Sequence, residues 1–162
     1  MDPKVKQKVL RMISNGMYVI TSRHEERVGA ATVTWLSQAS FKPPLIMAAV
    51  RQDSNVFECL SQSRVASVQI LASHQQDIAR KFLATTQANS GMINGEPYVD
   101  GKTKSPILVN APAFIECSVR QIVDEGGDHA VVILEVLEAE IHPDAVGVKP
   151  LLIAESPWRY GG

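Results

Sequence analysis

His129 stands directly behind the turn Asp124-Glu125-Gly126-Gly127-Asp128 and opens a long apolar strand, where an imidazole can serve as a donor to turn carbonyls. Asp53, Ser54 and Asn55 are all good helix N-caps, and Glu58 falls at the N3 position of Asn55. A helix starting there presents unpaired N–H groups and the positive end of its dipole, which suits a phosphate, although plain capping uses the same residues. In Ala30–Val50, the β-prone run Thr32-Val33-Thr34-Trp35-Leu36 leads into small polar Ser37-Gln38-Ala39-Ser40, a Pro43-Pro44 corner and apolar Leu45–Val50. Small side chains let a ligand lie against backbone N–H and C=O groups, though the same stretch also suits an ordinary hairpin. At the end of the chain, Trp158, Arg159 and Tyr160 suit packing on the core, stacking on an aromatic cofactor or reaching across a dimer interface.

Other chemistries lack their residues. No Gly-x-Ser-x-Gly elbow is present, and His24, His74 and His142 lie in or beside expected loops. Glu25-Glu26 and Asp124-Glu125 are adjacent pairs in turns and read as solvated. Cys59 and Cys117 each sit among apolar neighbours and read as buried, reduced thiols. No Cys-x-x-Cys and no metal-ligand spacing occur, so no metal site is expected. The dinucleotide fingerprint and the P-loop are also missing.

These residues need elements to hold them. Asp2 and Pro3 can cap and start a helix over residues 3–14, amphipathic through Val5, Val9, Met12 and Ile13, which is expected to cover one side of the fold. Strands are expected at 17–22, at 28–40 as one long or bent pair, at 45–51, 64–72, 113–123 and 129–142, with a short one at 150–154. A helix from Asn55 ends near Gln62-Ser63, and Ser73 with Gln76 forms a capping-box pattern ahead of another. Arg80 and Lys81 on it either reach a phosphate or face water. Residues 85–103, rich in Thr, Asn, Ser and Gly, read as a long loop that is either functional or disordered, with a flexible cover as the working expectation. The pattern is mostly β: a small antiparallel barrel with short covering helices, and one domain over residues 1–162.

Composition narrows the partners. The chain of 162 residues is 45% hydrophobic and 20% charged, with a net charge of −1. Nothing basic points to nucleic acid or a membrane surface. The start lacks a signal-peptide apolar region and no apolar run spans a bilayer, so a cytoplasmic protein is expected.

The stretch Thr32–Val50 resembles the flavin-contacting segment of the flavin reductase-like family, whose fold is the FMN-binding split β-barrel. Gly127-Asp128-His129, the Arg64–Leu71 strand and the Trp158-Arg159-Tyr160-Gly161-Gly162 ending are similar to further family elements in the same order, over roughly residues 8–162. The resemblance implies an NAD(P)H:flavin oxidoreductase with FMN (or FAD) as flavin, NAD(P)H as co-substrate, a homodimer and a possible redox protein partner. It implies that Thr32, Val33, Thr34 and Trp35 face the isoalloxazine ring, that Ser37, Gln38 and Ala39 bend around the ring edge and ribityl chain, and that Ser54 and Asn55 hold the phosphate. It places His129 beside the nicotinamide and the tail residues Trp158 and Tyr160 near the flavin. The sequence departs from the family pattern at Ala66 and Gln69, where Phe and Asn are frequent, and at Trp35, where a small residue is frequent. The rival readings are a flavoredoxin-like FMN electron carrier without NAD(P)H turnover and a non-catalytic split-barrel binding module.

Overall fold

A computed structural model describes residues 1–161. In chain order its elements are α1 (Pro3–Leu10), β1 (Tyr18–His24), β2 (Arg27–Val33), β3 (Leu36–Ser40), β4 (Leu45–Arg51), α2 (Asn55–Ser63), β5 (Val65–Ile70) and α3 (Gln76–Lys81). There follow β6 (Ala88–Asn89), β7 (Met92–Ile93), β8 (Glu96–Asp100), β9 (Pro106–Leu108), β10 (Ala113–Val123) and β11 (His129–Ile141), then 3-10 turns at Pro143–Ala145 and Ile153–Glu155.

Seven strands form one antiparallel sheet in the order β2-β1-β5-β10-β11-β4-β3. Its edge strands β2 and β3 do not pair, so the sheet curls without closing, which makes the fold a split β-barrel. The spine is the β10–β11 hairpin. Cys117, Val119, Val132 and Leu134 alternate inward along it, as a half-buried strand requires. Ile20, Val33, Ile46, Val50 and Val68 complete that face, and α2 adds Val56 and Leu60, both fully buried. Burying a side chain such as Leu60 contributes about 1.5–3 kcal/mol. The other face of β1 and β2 carries a second core, in which Met17, Val19, Val28 and Ala30 meet Ala79, Phe82, Ile93 and Leu108.

Several expectations need correction. The first helix ends at Leu10, and none of its residues is buried, so it covers nothing within this chain; Val5 and Val9 are each 55% exposed. The expected strand over 28–40 breaks at Thr34-Trp35 into β2 and β3, and the Ser37–Ser40 bend is itself strand β3. Arg64 is not in a strand; it closes α2 in the left-handed region at φ 62°. Ser73 does not cap α3. That helix starts after Gln75, whose side-chain oxygen accepts from the Ala72 N–H instead. Residues 85–103 are not a structureless cover, because β6, β7 and β8 join β9 in a four-stranded sheet. Its tight reversals use Gly91 and Gly95, both at positive φ (77° and 79°), a region glycine enters without steric cost. The short strand expected at 150–154 is two isolated bridges, Gly16 to Leu152 and Ala72 to Pro150, followed by a 3-10 turn.

Candidate functional site

The split in the barrel is where the functional side chains collect. β2 and β4 are far apart in the sheet order, yet both line one cavity of about 520 Å³. Ala30–Val33 come from β2, Thr34 and Trp35 from the crossing to β3, and Ala49–Arg51 from the end of β4. Asp53, Ser54 and Asn55 bring the start of α2, residues 82–86 bring the segment after α3, and Trp158, Arg159 and Tyr160 bring the tail. His129 enters from the first position of β11.

Each wall has a local cause. The Ser54 hydroxyl accepts from the Phe57 N–H at 3.2 Å and donates to the Arg51 carbonyl at 2.7 Å, which fixes how the chain enters α2. Arg51 forms a two-point ion pair with Asp53 at 2.9 and 2.5 Å, and this pairing holds the Asp53 carboxyl below the usual carboxylate range. Gly29 lets α2 lie directly on β2, since a Cβ there would fall 2.4 Å from the Val56 Cα. Along the edge of β2, the Ala30 N–H donates to Thr86 Oγ1, the Thr86 hydroxyl donates to the Ala30 carbonyl, and the Thr32 N–H donates to the Phe82 carbonyl. The Thr32 hydroxyl is also engaged, donating to the Ala79 carbonyl at 2.7 Å. Thr34 Oγ1 differs: it is buried in the cavity wall without a partner. An orphaned buried hydroxyl costs about 1–3 kcal/mol.

His129 is held from both ring nitrogens. Nδ1 lies 2.7 Å from Asp128 Oδ1 and Nε2 lies 3.1 Å from the Tyr160 hydroxyl. The hydrogen bond to His129 holds the Asp128 carboxyl below its ordinary value, and burial pushes the Tyr160 hydroxyl above its own. An ionised Asp128 can only accept, which puts a ring proton on Nδ1; in the neutral imidazole Tyr160 is then the donor to Nε2. Gln52 secures the turn behind, with Nε2 donating to Asp124 Oδ1 and to the Gly127 carbonyl, both at 3.0 Å. Trp35 lies against both rings, its centroid 4.8 Å from His129 and 5.3 Å from Tyr160. The tail is tied down where Arg11 Nε donates to the Gly161 carbonyl at 2.9 Å.

Thr32, Val33, Thr34, Trp35, Ser54, Asn55, His129, Trp158 and Tyr160 therefore surround one cavity. Ser37, Gln38 and Ala39 do not; they lie exposed on the edge strand β3, outside it. Lys81 does not face the cavity either, being paired with the nearly buried Glu96 at 2.5 Å. Sequence reasoning named Asp53 only as a cap and missed Arg51, Phe82 and Thr86. Arg51 stood at the end of an expected strand, and nothing local marks Phe82 or Thr86. The buried, free Cys59 and Cys117 lie away from this wall. Among the described residues no group of His, Cys, Asp and Glu is placed to hold a metal, and no helix is long and apolar enough to cross a membrane.

Comparison with known proteins places the chain in a family. Residues 10–160 match the family described as Flavin reductase like domain. The reductase subunit HsaB of a flavin-dependent monooxygenase from Mycobacterium tuberculosis is 31% identical over 152 residues, covering 93% of this chain and 78% of HsaB. Diflavin flavoprotein A 1 from Synechocystis is 31% identical over 136 residues, 83% of this chain, but the match spans only 24% of that longer protein. Among solved structures, the NADH:FAD oxidoreductase SgcE6 of Streptomyces globisporus superposes with a TM-score of 0.79 at 23% identity, covering 100% of this chain and 96% of SgcE6. SgcE6 has also been solved in complex with NAD and FAD fragments. With nearly its whole length matched, this chain belongs to the flavin reductase like family.

Proposed function

We propose that this chain is an NAD(P)H-dependent flavin reductase whose cavity in the split barrel holds the flavin. The observation that carries the reading is the meeting of three features in that cavity: an apolar, backbone-rich wall, the start of α2, and His129 under two aromatic rings. The residues fit a flavin. The volume lies within the range of small-molecule sites, Ala30, Ala31, Ala49 and Val50 leave room for a flat ring, and Thr34 Oγ1 is a buried polar atom awaiting a partner. When bound, the flavin supplies two-electron redox chemistry with a nicotinamide as donor.

The chain's own part is binding and orientation. Val33, Thr34 and Trp35 line the ring, the Thr34 hydroxyl anchors it, and the capped start of α2 at Ser54 and Asn55 takes the phosphate of the FMN portion. Asp128 fixes the His129 tautomer with the proton on Nδ1, leaving Nε2 to accept from Tyr160 or, once the tail shifts, from the nicotinamide carboxamide. Trp35 and Tyr160 flank that face, their ring centroids 5.3 Å apart. A homodimer is part of the proposal. The exposed apolar side chains of α1 and Phe41, 89% exposed, mark surface for a second copy, and Ser37, Gln38 and Ala39 on the free edge of β3 reach a flavin only through it. Given HsaB, the reduced flavin passes to a separate oxygenase or other redox protein.

Flavin titration of the purified protein, followed by anaerobic NADH and then NADPH, tests the reading. Saturable binding with bleaching by one nicotinamide is the expected result, and failure to bind FMN or FAD overturns it. Binding without bleaching moves the assignment to an electron carrier. The three rings packed over the nicotinamide side favour that second reading.

A further inference from the structure

Residues 82–86 run as a strap along the open edge of β2 and line the cavity without belonging to a helix or a strand. At one end the Phe82 carbonyl accepts from the Thr32 N–H, and at the other the Thr86 hydroxyl bonds both backbone groups of Ala30. Leu83, Ala84 and Thr85 between them are exposed. A wall built this way keeps its shape only if its two ends are fixed relative to each other.

The residue that fixes them is Asn94, in the turn between β7 and β8 and outside the cavity. Its Nδ2 donates to the Lys81 carbonyl at 2.9 Å, just before the strap. Its Oδ1 accepts from the Gln87 N–H at 2.7 Å, just after the strap, and its own N–H donates to the Gln87 carbonyl at 2.8 Å. Two residues on, Glu96 is 5% exposed, pairs with the Lys81 ammonium at 2.5 Å and accepts from Asn110 at 3.0 Å. We propose that Asn94 is a positioning residue for the flavin site, clasping the strap at both ends from outside the cavity and so setting the wall against which the flavin packs. The inference rests on the flavin reading above and gives the small sheet a part in it.

The turn alone does not call for this residue. Asn94 and Gly95 lie at φ 48° and 79° between the paired Ile93 and Glu96, a two-residue hairpin that Asn-Gly, Asp-Gly and Gly-Gly all serve. Spanning Lys81 and Gln87 asks for more. It needs a donor and an acceptor on one short side chain, which the amide carries and neither an ionised carboxylate nor a glycine does. A strap fixed beforehand spares the ligand the cost of ordering it, so the clasp is read in binding.

Asn94→Gly and Asn94→Asp both keep the turn; the first breaks the clasp on both sides and the second only at Lys81. The control is Asp100→Ala. Asp100 pairs with Arg23 at the far end of β8, outside the cavity, so this variant loosens the small sheet without touching the strap. Fluorescence titration of the full chain with FMN and with FAD reads the effect without turnover. Both Asn94 variants are expected to weaken the flavin that the parent binds by about three- to tenfold, glycine more than aspartate, and Asp100→Ala to stay within about twofold. If Asn94→Gly does not fold, Asn94→Asp against Asp100→Ala decides the same question. Unchanged affinity in the Asn94 variants, or an equal loss in Asp100→Ala, overturns the clasp while the flavin reading stands. A parent that binds neither flavin overturns the flavin reading and the clasp with it.

Discussion

Gly29→Ala tests whether the start of α2 is placed by a close backbone approach. The new Cβ would lie 2.4 Å from the Val56 Cα, 2.5 Å from the Asn55 carbonyl oxygen and 2.5 Å from the Val56 nitrogen. All three are backbone atoms, so no side chain can rotate away. Ordinary contact begins at 3.4 Å, so α2 must retreat by about 1 Å, the difference between 3.4 and 2.4. Over-packing of this kind costs about 1–3 kcal/mol. Val56 and Leu60, both 0% exposed, would lose contact on the same movement. With a urea slope of about 2 kcal/mol/M, a loss of about 2 kcal/mol lowers the unfolding midpoint by about 1 M with the slope unchanged. The retreat also carries Ser54 and Asn55 away from the cavity, so flavin affinity should fall by about tenfold. Urea unfolding with a parallel flavin titration measures both. A midpoint and an affinity equal to those of the parent would refute the reasoning, since the helix start would then be free to move without consequence.

Thr34→Val replaces the orphaned hydroxyl with a methyl of the same shape. It should leave stability unchanged or raise it, while weakening flavin binding by about three- to tenfold; unchanged flavin affinity would show that Oγ1 has no ligand partner. Tyr160→Phe removes the donor to His129 Nε2 but keeps the ring on Trp35. If the tail competes with the nicotinamide for that nitrogen, steady-state kinetics should show its KM falling by about two- to tenfold with flavin affinity constant, and a rise in KM would count against the tail as competitor. Burial pushes the Cys117 thiol up to about 12, so native protein should resist iodoacetamide at pH 9 while urea-unfolded protein reacts. The raised value means that the fold favours the protonated thiol. That stabilisation is full below the thiol's unfolded pKa near 8.5 and is lost as pH rises towards about 12, a decline that Cys117→Val should flatten in alkaline urea titrations.

Much of the barrel was legible because its longest strands carry a clear period. Cys117 and Val119 are buried on either side of the half-buried Ser118 along β10, and Ala130, Val132 and Leu134 alternate with the more exposed Val131 and Ile133 along β11. The start of α2 was legible because capping is local, a matter of Ser54 and the N–H three residues on. The small sheet was not, since β6 and β7 are two residues each and have no period to read. The first helix shows the opposite failure: Val5, Val9, Met12 and Ile13 recur at helical spacing, but periodicity does not say which chain they pack against. Trp35 and Ser37 are neighbours in sequence but only Trp35 lines the cavity, because the chain crosses the split at Trp35 and β3 then runs along the outer edge. Thr86 and Phe82 enter only through contacts with Ala30 and Thr32, more than 45 residues back, which no local pattern encodes.

The unclosed sheet and the binding cavity have a common cause. Closing a barrel would pair β2 with β3 and spend the edge backbone groups on each other. Here the chain leaves β2 at Val33, crosses as Thr34-Trp35 and returns to pair with β4, where the Ala49 N–H donates to the Trp35 carbonyl at 2.9 Å. The opened edge of β2 is then satisfied piecemeal, by Thr86 on Ala30 and by the Phe82 carbonyl on Thr32. That cover stops short of Thr34, whose hydroxyl is the one buried side-chain polar atom without a partner in the cavity wall. In the proposed function, a bound flavin would complete at Thr34 what pairing does elsewhere on the edge. The site is therefore the part of the barrel that the chain leaves unpaired, and the tail, by bringing Tyr160 to His129 and Trp35, closes the remaining side of it.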